Sequence, residues 1–172
     1  MIDIEGLATT PDTLILTIGA QMFDPLARSD LTDDQSYYCR IDFESQEGRR
    51  IDDNTLEWWS TQPSASKDEA FAETGRIPLR QALEELGKKV WHAKRVWMNG
   101  PTYDATILEH AYKSLGMALP WQYYQIRDCR TVYGLCPDLN KYPASHHAVE
   151  DCRRQIYLLW DSLEFLKVKN LA

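Results

Sequence analysis

The chain has 172 residues and a mass of 20.0 kDa, and its 44% hydrophobic, 26% charged and 11% aromatic content excludes collagen-like, low-complexity and generally disordered classes and fits one domain over residues 1–172. Nineteen Lys and Arg against 26 Asp and Glu give a net charge of -7 and a pI near 5.1, so long-range attraction to phosphate or anionic lipid is not the average property of this surface. Cys39, Cys129, Cys136 and Cys152 form no C-x-x-C pair, no secretory segment precedes them and no apolar run reaches the ~20 residues of a membrane span, so the expectation is reduced thiols, no membrane partner and a cytoplasmic location.

Residues 1–5 alternate apolar and acidic side chains as a short strand does, and 6–12 supply turn residues. Leu14, Leu16, Ile18, Ala20 and Met22 alternate with Ile15, Thr17 and Phe23, a long strand buried partly on both sides. Tyr37, Cys39, Ile41 and Phe43 repeat the period, so a three-stranded antiparallel meander is expected. Asn54 followed three residues later by Glu57 reads as the start of a helix over 55–62, stopped by Pro63. Leu79, Ala82, Leu83, Leu86 and Val90 then mark an amphipathic helix behind Pro78.

Further on, Val96 to Met98 is a short apolar strand ended by Asn99-Gly100-Pro101, and Ile107, Leu108, Ala111, Tyr112 and Leu115 continue as a helix up to Gly116. Another short strand is expected over 123–126. The last helix runs over 148–166 on the stripe Ile156, Leu159, Trp160, Leu163 and Leu166. Loops are expected over 27–35, 64–75 and 134–145. The sum is an α/β fold: a mixed sheet, antiparallel first and parallel later, with helices on both faces.

Three segments carry chemistry. Asp3 and Glu5 lie two apart, so a strand presents both carboxylates on one face while Ile2 and Ile4 point away; an exposed strand edge with two solvated acids carries the same pattern. Asp104 follows a strand and a Gly-containing turn at or near a helix start, where free N–H groups tolerate a negative charge, and open sheets place site residues at this end. Asp151 projects from the first turn of the last helix, and His146 precedes it on the loop opened by Pro143, Ala144 and Ser145. A histidine can take a proton from water near neutral pH.

Together, Asp3-Ile4-Glu5, Asn99-Gly100-Pro101-Thr102-Tyr103-Asp104, and His146 with four residues before Asp151 resemble the three motifs of the DEDDh 3′–5′ exonucleases, a superfamily with a ribonuclease H-like fold. Thr13 to Ala20, Trp58-Trp59-Ser60-Thr61-Gln62, Pro120-Trp121 and Arg127-Asp128-Cys129-Arg130-Thr131 are similar to its phage and prophage exodeoxyribonuclease VIII-like branch, whose bacterial relatives include exoribonucleases. The resemblance covers nearly the whole chain. It departs at Gly6, where the superfamily often has Thr, and at the short lead-in of two residues before Asp3.

What the resemblance implies is a metal-dependent 3′–5′ exonuclease in a bacterial or phage-infected cell. Asp3, Glu5, Asp104 and Asp151 would hold two Mg²⁺ or Mn²⁺ ions and His146 would act as general base. The partner would be the 3′ end of a nucleic acid, DNA ahead of RNA because of the phage-like phrases. A homodimer is an open expectation, since superfamily relatives often dimerise. Candidate substrate contacts are Gly6, Leu7, Thr9, Trp58, Trp59, Gln62, Asn99, Tyr103, Arg127 and Arg130; adjacent tryptophans cannot share one helix face, so one of that pair is expected in the core. Rival readings are a non-catalytic binding module on this fold, an endonuclease of the wider ribonuclease H-like group, and a zinc site from Cys136, His146 and His147.

Overall fold

Strands β1 (Ile2–Gly6), β2 (Ile15–Gln21) and β3 (Ser36–Ile41) form the antiparallel meander that the alternation predicts, in a computed structural model that describes residues 1–136 and 144–171. The register sets Asp3 against Gly19, Ile4 against Ile18 and Glu5 against Thr17. With a side-chain period of two, Ile2 and Ile4 therefore enter the main core beside Ile18, and Asp3 and Glu5 share the opposite face. The register shifts between Glu5 and Gly6, a bulge that ends the ladder directly behind the two acids. β2 is buried along its whole length, as its two-sided apolar pattern requires.

A two-residue strand β4 (Arg76–Ile77) adds in parallel to β3, completing the order β1-β2-β3-β4. Strands β5 (Val96–Met98) and β6 (Ile126–Asp128) form a second, parallel ladder, and β5 packs beside β1. The expected strand over 123–126 is instead a 3-10 turn, Tyr123–Gln125, that leads into β6. Its reciprocal side-chain and backbone bonds between Gln122 and Gln125 favour the turn over extension.

The helices are α1 (Asp53–Ser60), α2 (Ser64–Ala70), α3 (Leu79–Val90), α4 (Asp104–Ser114), α5 (Cys129–Gly134) and α6 (Ala148–Phe165). α3 buries the five stripe residues read from the sequence, and with α4 it covers the Ile2 and Ile4 face of the sheet. α5 and α6 cover the other face through Cys129, Cys152, Ile156, Leu159 and Trp160, packed with Met1 and Trp97. Helices thus lie on both faces of a mixed sheet.

Two further readings change. α1 is capped by Asp52, not Asn54: the Asp52 carboxylate accepts from the backbone N–H groups of Asn54 and Thr55, the role for which an aspartate is as suitable as an asparagine. The expected loop over 64–75 holds α2 and leads into β4; α2 buries only Ser66 and Ala70, residues too small to give an apolar stripe. α5, six residues long, lies in a stretch too short to display a period. The expected loop over 134–145 falls in part outside the described residues. All four cysteines are free and buried, and among the described residues no helix is long and apolar enough to cross a membrane.

The start of α6 sits directly on β2. A Cβ at Gly19 would lie 2.4 Å from the carbonyl carbon of Ala148 and 2.5 Å from the nitrogen of Val149. Only glycine permits this approach. Because Gly19 pairs with Asp3, the same contact brings the first turn of α6, and Asp151 with it, over the acidic face of β1.

Candidate active site

Asp3, Glu5, Asp104, His146 and Asp151 line one open cavity of about 630 Å³. Each arrives by a different local device. β1 presents Asp3 and Glu5 by its period. The turn after β5 delivers Asp104 as the first residue of α4, 3% exposed, with Oδ1 accepting from the N–H of Ile4 (3.3 Å). That bond ties the helix to β1 between the two strand acids.

Asp151 is held by the loop in front of its own helix. Oδ1 accepts from Ser145 N (2.9 Å), Ser145 Oγ (3.2 Å) and Arg154 Nε (3.1 Å), and Oδ2 accepts from His146 N (2.8 Å). A carboxylate oxygen offers about two lone-pair sites, so Oδ1 is filled while Oδ2 keeps one for a further ligand. His146 occupies the left-handed region, φ 55°, an uncommon conformation for a residue with a side chain, and this aims both its N–H at Asp151 and its ring at the acids. Its Nδ1 lies 3.8 Å from Glu5 Oε1, and the ring packs edge-on against Trp58, centroids 5.0 Å apart. The neighbouring loop is pinned from outside: Ser66 Oγ donates to Ser145 O (2.7 Å), and His147 stacks on Tyr38 at 4.5 Å.

The electrostatics are those of carboxylates short of positive partners. Burial, followed by the charges of Asp104, Glu5 and Asp151, raises Asp3 well above the usual carboxylate range, against the bond from Gln155. Burial, then Asp151 and Asp104, pushes Glu5 up to about 8. Burial pushes Asp104 up to about 7, opposed by the Ile4 N–H, by its own backbone and by Arg130. Buried acids in this condition either keep protons or take up cations. Glu5, His146 and Asp151 bring ligand atoms within 4.8 Å of one another, and a mainly oxygen donor set suits Mg²⁺ or Mn²⁺. The zinc reading finds no cysteine here: Cys136 is buried, with Sγ directed at Ser162 O (3.7 Å).

The other candidates divide. Gly6, Thr9, Trp58, Asn99, Tyr103 and Arg130 line the cavity. A Cβ at Gly6 would come within 3.1 Å of the Tyr103 hydroxyl and 3.2 Å of Thr13, so a larger residue there would require one of these side chains to give. Trp58 is 43% exposed, while Trp59 is buried and donates from Nε1 to Gly6 O (3.1 Å), the division expected of adjacent tryptophans. Leu7 packs in the core with Trp59. Gln62 donates to Trp58 O and Thr61 Oγ1, and Arg127 donates to the carbonyls of Tyr124 and Ile126; neither lines the cavity. Arg154 and Gln155 do line it and were absent from the sequence reading. Helical spacing of three and four from Asp151 is the signal that points to them.

The sequence model for the 3′–5′ exoribonuclease Rv2179c-like domain matches residues 1–161. No curated protein matches by sequence. Among solved structures, the Mg²⁺- and Mn²⁺-bound form of Pop2p from S. pombe is similar in fold, with a TM-score of 0.63 at 12% identity, over 99% of this chain and 84% of that one.

Proposed function

Because the chain belongs to the Rv2179c-like 3′–5′ exoribonuclease domain family, it is a 3′–5′ exonuclease, and we propose that it shortens RNA from the 3′ end with divalent cations held by Asp3, Glu5, Asp104 and Asp151. The observation that carries this reading is the convergence of those four carboxylates and His146 on one cavity. The resemblance to phage enzymes argues for DNA; the activity named for the family is on RNA, so RNA is the better supported substrate. The metals of the Pop2p structure agree with the oxygen-rich donor set.

Divalent ions held by Asp3, Glu5, Asp104 and Asp151 would supply Lewis acidity for the attacking water and offset charge on the phosphate. The chain's own residues do the rest. The Asp151 Oδ2 lone pair and the Glu5 carboxylate face the cavity as ligands. His146, held by its backbone bond to Asp151, takes the proton of the water as general base. Trp58 offers a partly exposed ring for a base to stack on, worth ~1–3 kcal/mol. The Arg130 guanidinium, which passes within 3.5 Å of where a Gly100 Cβ would stand, offers a phosphate contact at the rim.

The test is digestion of 5′-labelled single-stranded RNA and DNA of one sequence, with Mg²⁺, Mn²⁺ or chelator, beside a circular RNA. A ladder shortening from the 3′ end, faster on RNA and absent in chelator, is expected. Faster digestion of DNA would reverse the substrate assignment, and cleavage of the circle would mean an endonuclease.

A further inference from the structure

Asp3, in the middle of the acidic cluster, owes its side-chain hydrogen-bond support among the described residues to a single donor. Asp151 receives four donors and Asp104 receives a backbone N–H. Among the described residues, one side chain donates to the Asp3 carboxylate: Gln155, whose Nε2 lies 2.7 Å from Oδ1. Gln155 stands on α6 four residues after Asp151, so one helix face carries both, and it is 1% exposed. The carboxylate decides the orientation of the amide. An amide oxygen turned toward Asp3 would meet like partial charge, so the NH₂ faces Asp3 and Oε1 faces away, where it is buried without a hydrogen-bond partner.

A buried amide whose acceptor goes unsatisfied bears the desolvation cost of that group with nothing in return. A leucine or methionine at this position would avoid that cost on a helix face already apolar at Cys152, Ile156 and Leu159. The polar residue is therefore not explained by packing. The backbone does not require it either, because the bond from Tyr133 Oη ends on the Gln155 carbonyl, not on its side chain. What the amide does provide is a donor that fixes which way Asp3 points, as outer partners of metal-ligating carboxylates do.

We propose that Gln155 is a positioning residue: its Nε2–H holds the Asp3 carboxylate in the orientation that receives a divalent cation. The proposal rests on the metal-dependent reading above. It is tested by calorimetric titration of Mn²⁺ into the metal-stripped protein and by thermal unfolding in chelator. For Gln155→Met, which keeps length and removes the donor, the Mn²⁺ dissociation constant should rise ~10–100-fold, with the melting temperature in chelator unchanged or higher. In turnover of RNA, kcat should fall while KM holds. Gln155→Asn, which keeps the amide but withdraws it by one methylene, should weaken Mn²⁺ as Met does, and it serves as the second variant if Met does not fold.

Mn²⁺ affinity within about twofold of the parent in either variant overturns the assignment. So does a fall in melting temperature in chelator that accounts for the lost binding, because it makes Gln155 a packing residue. If the parent itself binds no Mn²⁺, the metal reading fails and the inference with it, an outcome distinct from a parent that binds and a variant that binds equally.

Discussion

At the scale of single residues, the two candidate chemical roles of His146 give opposite results. A ring nitrogen of His146 lies within 4.8 Å of Glu5 and Asp151 oxygens, close enough for the three to share one ion, and its ring is braced by Trp58. As a general base, His146→Ala should lower kcat ~10²–10⁴-fold and leave Mn²⁺ affinity intact; a matching loss of affinity in calorimetry would make it a ligand instead. Asp3→Ala and Asp151→Ala should abolish turnover, and Asp151→Ala should also release the Ser145 and His146 backbone N–H groups that its carboxylate holds. D-x-E, an acid after a strand-ending turn and a histidine five before an acid are local patterns, each ambiguous alone, and it was their joint resemblance to the three DEDDh motifs that made these residues candidates. That Leu7, Gln62 and Arg127 lie outside the cavity lining has no such local signal: whether an apolar, amide or guanidinium side chain turns to the core, to a nearby carbonyl or to a ligand depends on its packing neighbours.

At the scale of elements, the site depends on how α6 and α1 are seated. Gly19→Ala places a methyl group inside the backbone of α6, so the helix must lift away from β1. We expect destabilisation of about 2 kcal/mol or more, read by thermal unfolding, together with weakened Mn²⁺ binding because Asp151 moves with its helix. α1 carries Trp58, and its start is secured by the Asp52 carboxylate. Asp52→Ala should cost about 1 kcal/mol and raise KM for RNA more than it lowers kcat, since it loosens a stacking surface and not the acids. The long stripe of α3 and the alternation of β2 were legible because each buries one continuous set of large apolar side chains. α2, β4 and α5 were not, because elements of two to seven residues with small or few buried side chains leave too little pattern; they exist because neighbours satisfy them, as Ser66 does by bonding to Ser145 O.

At the scale of the whole molecule, the net charge of -7 takes on a different meaning. Part of it is the buried cluster, and two divalent ions would offset four of those charges. The cluster also couples stability to pH. Glu5 and Asp104, pushed up by burial to about 8 and about 7 from ordinary values of 4.5 and 3.8, and Asp3, raised in the same sense, bind more protons folded than unfolded. In chelator, stability should therefore fall as pH rises from about 4 to about 8. Divalent cations replace those protons, so Mg²⁺ or Mn²⁺ should raise the melting temperature more at about pH 8 than at about pH 6. A melting temperature in chelator that climbs across this range would contradict the clustering of the acids.

By itself, the sequence determined the class of sheet and the order of its long elements, because periodicity is a property of neighbours along the chain, and its resemblance to the DEDDh motifs singled out the five candidate residues that the structure brings to one cavity. The tertiary structure alone decided that the backbone of α6 rests on Gly19, that Asp52 and not Asn54 caps α1, that Trp58 and not Trp59 faces the cavity, and that Gln155 reaches Asp3. Each is a choice between side chains equally suited by chemistry. The choice is made by which atoms lie within hydrogen-bonding or van der Waals reach once strand residues 9 to 18 positions apart are paired and a helix residue 152 positions from Asp3 is packed against them.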